Sequence, residues 1–181
     1  MKKVLGLCLV LAISNSYALD IARNVKDFEK NGDWNNFTIT DHYFGLVLLT
    51  RATTTDPNTK ITFAINFSAS DKCQPFIELI YPLQKINIED IHNDIYGNIQ
   101  VDTNPYLRVE AEEVVENGAN FAFIGFSGKD ITNDLKVGKT VSANFRRYGV
   151  AEFSLNGAKV SIDNAIGTCE QFSRSEYRND V

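Results

Sequence analysis

Short runs of alternating apolar and polar residues, separated by tight-turn signals, and a final stretch with helical spacing predict a mainly β chain. The expected fold is an antiparallel β-sandwich-like domain with a C-terminal helix. One disulfide is expected as well, because an N-terminal leader removes Cys8 and leaves Cys73 and Cys169 as a pair.

The leader is read from Lys2 and Lys3, the apolar run Val4 to Ile13, and the small-residue exit Ser16-Tyr17-Ala18. This is the layout of a signal peptide, residues 1–18, cleaved after Ala18. Residues 19–181 then form a single exported β-rich domain, bacterial and periplasmic or secreted. The apolar run falls short of the roughly 20 residues that a spanning helix needs, so no membrane insertion is expected. Cys8 lies too deep in that run to be a lipid-anchored mature N-terminus.

A short polar lead carrying Trp34 comes first. Tyr43 to Thr54, rich in β-branched and apolar residues, reads as a central strand. Ile61, Phe63, Ile65 and Phe67 then alternate with Thr62, Asn66 and Ser68, which places the first set in the core. Phe76 to Tyr81, stopped by Pro82, makes the second arm of a hairpin over 60–81, with Cys73 at its tip. Residues 86–97 read as a connection with one helical turn. Asn98 to Asp102 and Tyr106 to Glu116 read as strands, and the broken alternation at Glu113 to Val115 suggests a bulge. Asn117-Gly118 signals a turn before a buried strand from Asn120 to Phe126. After a polar segment, Lys139 to Tyr148 and Val150 to Leu155 flank Gly149 as two further strands. Asn156-Gly157 is compatible with another hairpin. However, Ala158, Ile162, Ala165, Ile166 and Cys169 follow a helical period over a longer span, which favours a helix from 158 to 170.

With Lys2 and Lys3 removed, sixteen basic residues face twenty-three acidic ones, a formal charge of −7. That balance gives no support for nucleic acid or anionic-lipid partners, which need clustered positive charge, so no nucleic acid partner is expected.

The chemistry-bearing inventory is thin. The two histidines, His42 and His92, lie in the acidic contexts Asp41-His42 and Glu89-Asp90-Ile91-His92-Asn93-Asp94, without zinc or EF-hand spacing. Gly125-Phe126-Ser127-Gly128 lacks the nucleophile-elbow spacing, and no histidine follows it. Asn36-Phe37-Thr38 and Asn66-Phe67-Ser68 are glycosylation sequons, expected to be silent in a bacterial chain. Glu110, Glu112, Glu113 and Glu116 form the densest charge run and read as a solvated strand face, with one arginine of Arg146-Arg147-Tyr148 pairing across to it. These seven residues are the candidate interaction surface. No catalytic residue, cofactor or metal is expected.

Leu135-Lys136-Val137-Gly138, Phe153-Ser154-Leu155-Asn156-Gly157-Ala158, Ala165 and Cys169 together resemble the ending of small exported bacterial proteins, the type VI secretion accessory TagO/VasI family and the invasion-associated locus B proteins. In those, a strand leads through Phe-x-Leu-x-Gly into a helix that ends at a cysteine. The resemblance implies a non-catalytic exported β-rich domain and adds to the case for the closing helix. The expected function is therefore binding of another envelope or secreted protein, as an accessory of an envelope or secretion apparatus. An inhibitor or immunity protein against a periplasmic or secreted hydrolase is the alternative, because an acidic domain suits a cationic enzyme. An enzyme with a dispersed carboxylate and histidine site is the third reading.

Overall fold

The computed structural model of the chain describes residues 24–41, 45–83, 91–115, 120–145 and 147–179. The expected signal segment, His42, Glu89, Asp90, Glu116, the expected Asn117-Gly118 turn and Arg146 lie outside the described residues.

Ten strands form one antiparallel sheet: β1 (Val25–Asn31), β2 (Trp34–Thr40), β3 (Val47–Thr55), β4 (Thr62–Phe67), β5 (Pro75–Pro82), β6 (Ile91–Val101), β7 (Leu107–Val115), β8 (Phe121–Ser127), β9 (Thr140–Phe145) and β10 (Gly149–Ser154). A short helix, α1 (Thr132–Val137), joins β8 to β9, and α2 (Ala158–Asn179) closes the chain. The spatial order is β1-β2-β3-β4-β5-β8-β7-β6-β9-β10. The first five strands are a meander. The chain then jumps three places, returns through β7 and β8 to pair with β5, and adds β9 and β10 beyond β6.

The sheet folds over on itself, and its two halves share one core. Phe63 of β4 meets Phe153 of β10 edge-on at 5.4 Å and Trp34 of β2 at 6.0 Å. The Trp34 indole donates to the Ser154 carbonyl at 2.8 Å, so a ring that fills the core also satisfies its one polar atom. The predicted alternation in β4 holds: Phe63, Ile65 and Phe67 are fully buried. Asn66 turns to the opposite face, where it accepts from Arg51 Nε at 2.6 Å while Arg51 Nη2 bonds Glu78 at 2.9 Å. Both sequon asparagines, Asn36 and Asn66, are buried.

Helix α2 is the predicted C-terminal helix, starting where expected and running on to Asn179 rather than ending at 170. Ala158, Ile162, Ala165 and Cys169 are its buried face. The Cys73–Cys169 disulfide, with Cα atoms 5.9 Å apart, ties that face to the tip of the β4–β5 hairpin. Thr50 Oγ1 donates to the Ala165 carbonyl at 2.7 Å and adds a second anchor. The Asn156-Gly157 turn serves the helix, not a hairpin. Gly157 has φ +90°, and a Cβ there would lie 1.8 Å from the Asn31 carbonyl oxygen, so only glycine lets the chain pass β1 and turn into α2.

Four expectations are corrected. The polar lead is in fact β1 and β2. β1 is an almost wholly exposed edge with a bulge between Lys26 and Glu29, and β2 turns Asn36, Thr38 and Thr40 inward, so neither shows apolar alternation. The connection expected over 86–97 is, from Ile91 onward, the first half of β6, whose Asn93 and Asp94 are exposed. There is no bulge at Glu113 to Val115. β7 runs in unbroken register with β6 from Ile91↔Val115 to Ile99↔Leu107, and Glu113 holds an inward position between Ala111 and Val115. Finally, the strand expected to reach Tyr148 ends at Phe145, which leaves Arg147 and Tyr148 in the turn before Gly149 at φ +78°.

Candidate interaction surface

Continuing the β7 alternation through Glu113 puts a carboxylate inside the sheet, with its side chain 1% exposed. A charge so placed needs partners, since burial without them costs several kcal/mol. The β9–β10 turn supplies two. Arg147 Nη1 lies 3.2 Å from Oε1 and 3.4 Å from Oε2, and the Tyr148 hydroxyl donates to Oε1. The Tyr148 ring lies 4.6 Å from that of Tyr81 on β5. Burial raises the Tyr148 phenol above its ordinary range, and the hydrogen bond to Glu113 and the negative charge of Glu113 raise it further against the opposing charge of Arg147. Burial likewise raises Tyr81, whose hydroxyl has no partner among the described residues. Both phenols are thus held neutral, and Tyr148 is the donor to Glu113.

The other described charges of the run point outward. Glu110 and Glu112 are exposed on the outer face of β7, opposite Tyr96 and Asp94 of β6. Tyr96 is 54% exposed, its hydroxyl donates to Glu110 at 3.2 Å, and the Arg108 guanidinium sits 4.8 Å from its ring centroid. Register then aligns Arg108, Asn98 and Asn144 in one row across β7, β6 and β9. Beside this row a cavity of about 630 Å³ opens, reached by Arg108 and Arg147. At its floor the Phe145 ring lies so close over Gly97 that a Cβ there would come within 2.4 Å of it.

The seven residues expected to form one surface therefore divide. Of the five that are described, Glu110 and Glu112 are on the outer face, while Arg147 and Tyr148 reach from the turn to the buried Glu113. The sequence reading missed Tyr96 and Arg108 because nothing in the linear order marks an aromatic as exposed or pairs it with a residue twelve positions on. Unbroken alternation through Val109, Ala111, Glu113 and Val115 was the signal that could have separated Glu113 from its neighbours.

Among the described residues no three His, Cys, Asp or Glu side chains gather where they could hold a metal ion, and no helix is long and apolar enough to cross a membrane. The His92 side chain and His42 lie outside this description.

Fold and site together define a folded-over antiparallel sheet, closed by a disulfide-tethered helix and bearing a polar outer face. The crystal structure of invasion-associated protein B from Bartonella henselae has this fold: it matches with a TM-score of 0.53 over 81% of this chain and 99% of that one, at 14% identity. The match supports the invasion-associated locus B side of the resemblance and does not bear on the TagO/VasI side. No protein-family model and no curated protein sequence matches the chain.

Proposed function

We propose that this is a non-catalytic, exported binding protein of the bacterial envelope, a periplasmic accessory of an envelope or secretion apparatus whose partner is another envelope or secreted protein. The reading is supported chiefly by the exposed Tyr96–Arg108–Glu110 arrangement. Tyrosine and arginine are the residue types that anchor protein interfaces, and here each is pre-oriented by the other at 4.8 Å. The fold shared with an invasion-associated protein is in keeping with it. The test is affinity capture from the periplasm followed by mass spectrometry, comparing the natural chain with a Glu110→Lys/Glu112→Lys/Arg108→Glu variant of unchanged melting temperature. Partner recovery should fall for the variant and with added salt. Equal recovery would refute the assignment of this face.

A second reading has its own observation. Asp94 and Glu112, both exposed, stand opposite each other on β6 and β7, an acidic patch that a cationic partner would complement. An inhibitor or immunity protein against a basic hydrolase such as a lysozyme needs such a patch. A lysozyme pull-down and inhibition assay, repeated with Asp94→Asn/Glu112→Gln, distinguishes it from the first.

A further inference from the structure

β7 pairs with β6 along Ile91–Ile99, whereas β9 pairs with it only from Gly97↔Phe145 to Val101↔Val141. On the β9 side, residues 91–96 of β6 therefore have no strand neighbour among the described residues. A strand edge of this kind presents backbone donors and acceptors that an incoming extended segment can pair. Natural edges are commonly blunted with proline or lysine, yet Ile91-His92-Asn93-Asp94-Ile95-Tyr96 contains neither.

The edge ends in the cavity beside Arg108, Asn98 and Asn144. Among the described residues, its lining includes two arginines and no carboxylate, in a chain whose formal charge is −5. Arg147 sets Nη1 against Glu113, and its side chain is 58% exposed. The notch thus presents two guanidinium groups, Arg147 already paired with Glu113 and Arg108 stacked on Tyr96. At the far end of the edge, Asp94 is exposed and faces Glu112. A complementary strand would carry its negative charge at the notch and none beside Asp94.

We propose that the open edge of β6 receives an extended segment of the protein partner as an added strand, with a carboxylate of that segment seated between Arg108 and Arg147. This rests on the binding reading above and names the manner of capture. Main-chain pairing supplies affinity, and the notch selects an acidic residue at one end of the segment.

The probe is a blocked peptide of alternating valine and threonine with glutamates at one end, titrated into the isotope-labelled exported protein and followed by amide chemical shifts. Two controls accompany it: the same peptide with glutamine for glutamate, and the glutamate peptide with alternate amides N-methylated. The expected result is saturable shifts in the amides of residues 91–96, with binding weakened about tenfold by glutamine, by Arg108→Gln or by N-methylation, the scale of one charge pair or of lost strand pairing. No shifts at millimolar peptide, or binding indifferent to N-methylation, would overturn strand addition. Shifts confined to Tyr96 and Arg108 would overturn it too while leaving the surface reading intact. Concentration-dependent shifts of the same amides without peptide would assign the edge to self-association instead.

Discussion

Arg147, in the turn after β9, places Nη1 3.2 Å from Oε1 of Glu113 on β7, across a sequence separation of 34 residues. The two strands they flank are not neighbours, since β6 lies between β7 and β9. The pair and Tyr148 therefore pin the second half of the sheet across three strands. Glu113→Ala should destabilise the protein by about 1–3 kcal/mol, because Tyr148 loses its acceptor while the exposed Arg147 rehydrates. Glu113→Gln, which retains an acceptor oxygen, should cost less. Urea denaturation followed by Trp34 fluorescence measures both, as Trp34 is the single tryptophan and is fully buried.

Alkaline pH should weaken the fold. Tyr81 and Tyr148 both have raised values in the folded state, chiefly through burial, against an ordinary value of 10.0. Each holds its proton more tightly folded than unfolded, so this stabilisation is complete below pH about 10 and is lost as pH rises toward the folded values. The urea midpoint should fall above pH about 10. Tyr148→Phe should flatten that fall while lowering stability at neutral pH, and a midpoint that stays level through the window would contradict the assignment.

The disulfide spans 96 residues of sequence and joins the hairpin tip to the helix. Cys73→Ser with Cys169→Ser should cost about 2–5 kcal/mol. Thiol labelling of the unfolded, unreduced chain beginning at Leu19 should find no free cysteine.

Ile65→Asp should abolish cooperative folding, since Ile65 is fully buried and no cation shares its face of β4. Asn66→Ala, on the opposite face beside Arg51, should cost only about 1–2 kcal/mol. Equal effects of the two, measured by circular dichroism melting, would contradict the assigned faces.

Gly157→Ala should be among the most damaging conservative changes, at roughly 3 kcal/mol. The backbone of Asn31 blocks the new methyl, and φ +90° strains any L residue. A stable variant with an unchanged melting temperature would show that the β1–α2 junction can relax.

The strands that pack one apolar face, β4, β5 and β10, were legible because burial on one face writes a period of two into the residues. The helix and the cysteine pair were legible for comparable reasons, one from its period and the other because only Cys73 and Cys169 follow the expected leader. β1, β2 and the start of β6 were hidden, since an exposed edge needs no apolar face and inward asparagine and threonine can be satisfied by hydrogen bonds. Glu113 shows the same division. Its position on an inward row follows from alternation alone. That a carboxylate is tolerated there depends on a turn 34 residues away, and only the order β7-β6-β9 brings that turn to it. Local periodicity thus determined which residues face a core, while long-range strand order decided what they meet. Strand order depends on the closure and packing of the whole sheet, which no local stretch of residues encodes.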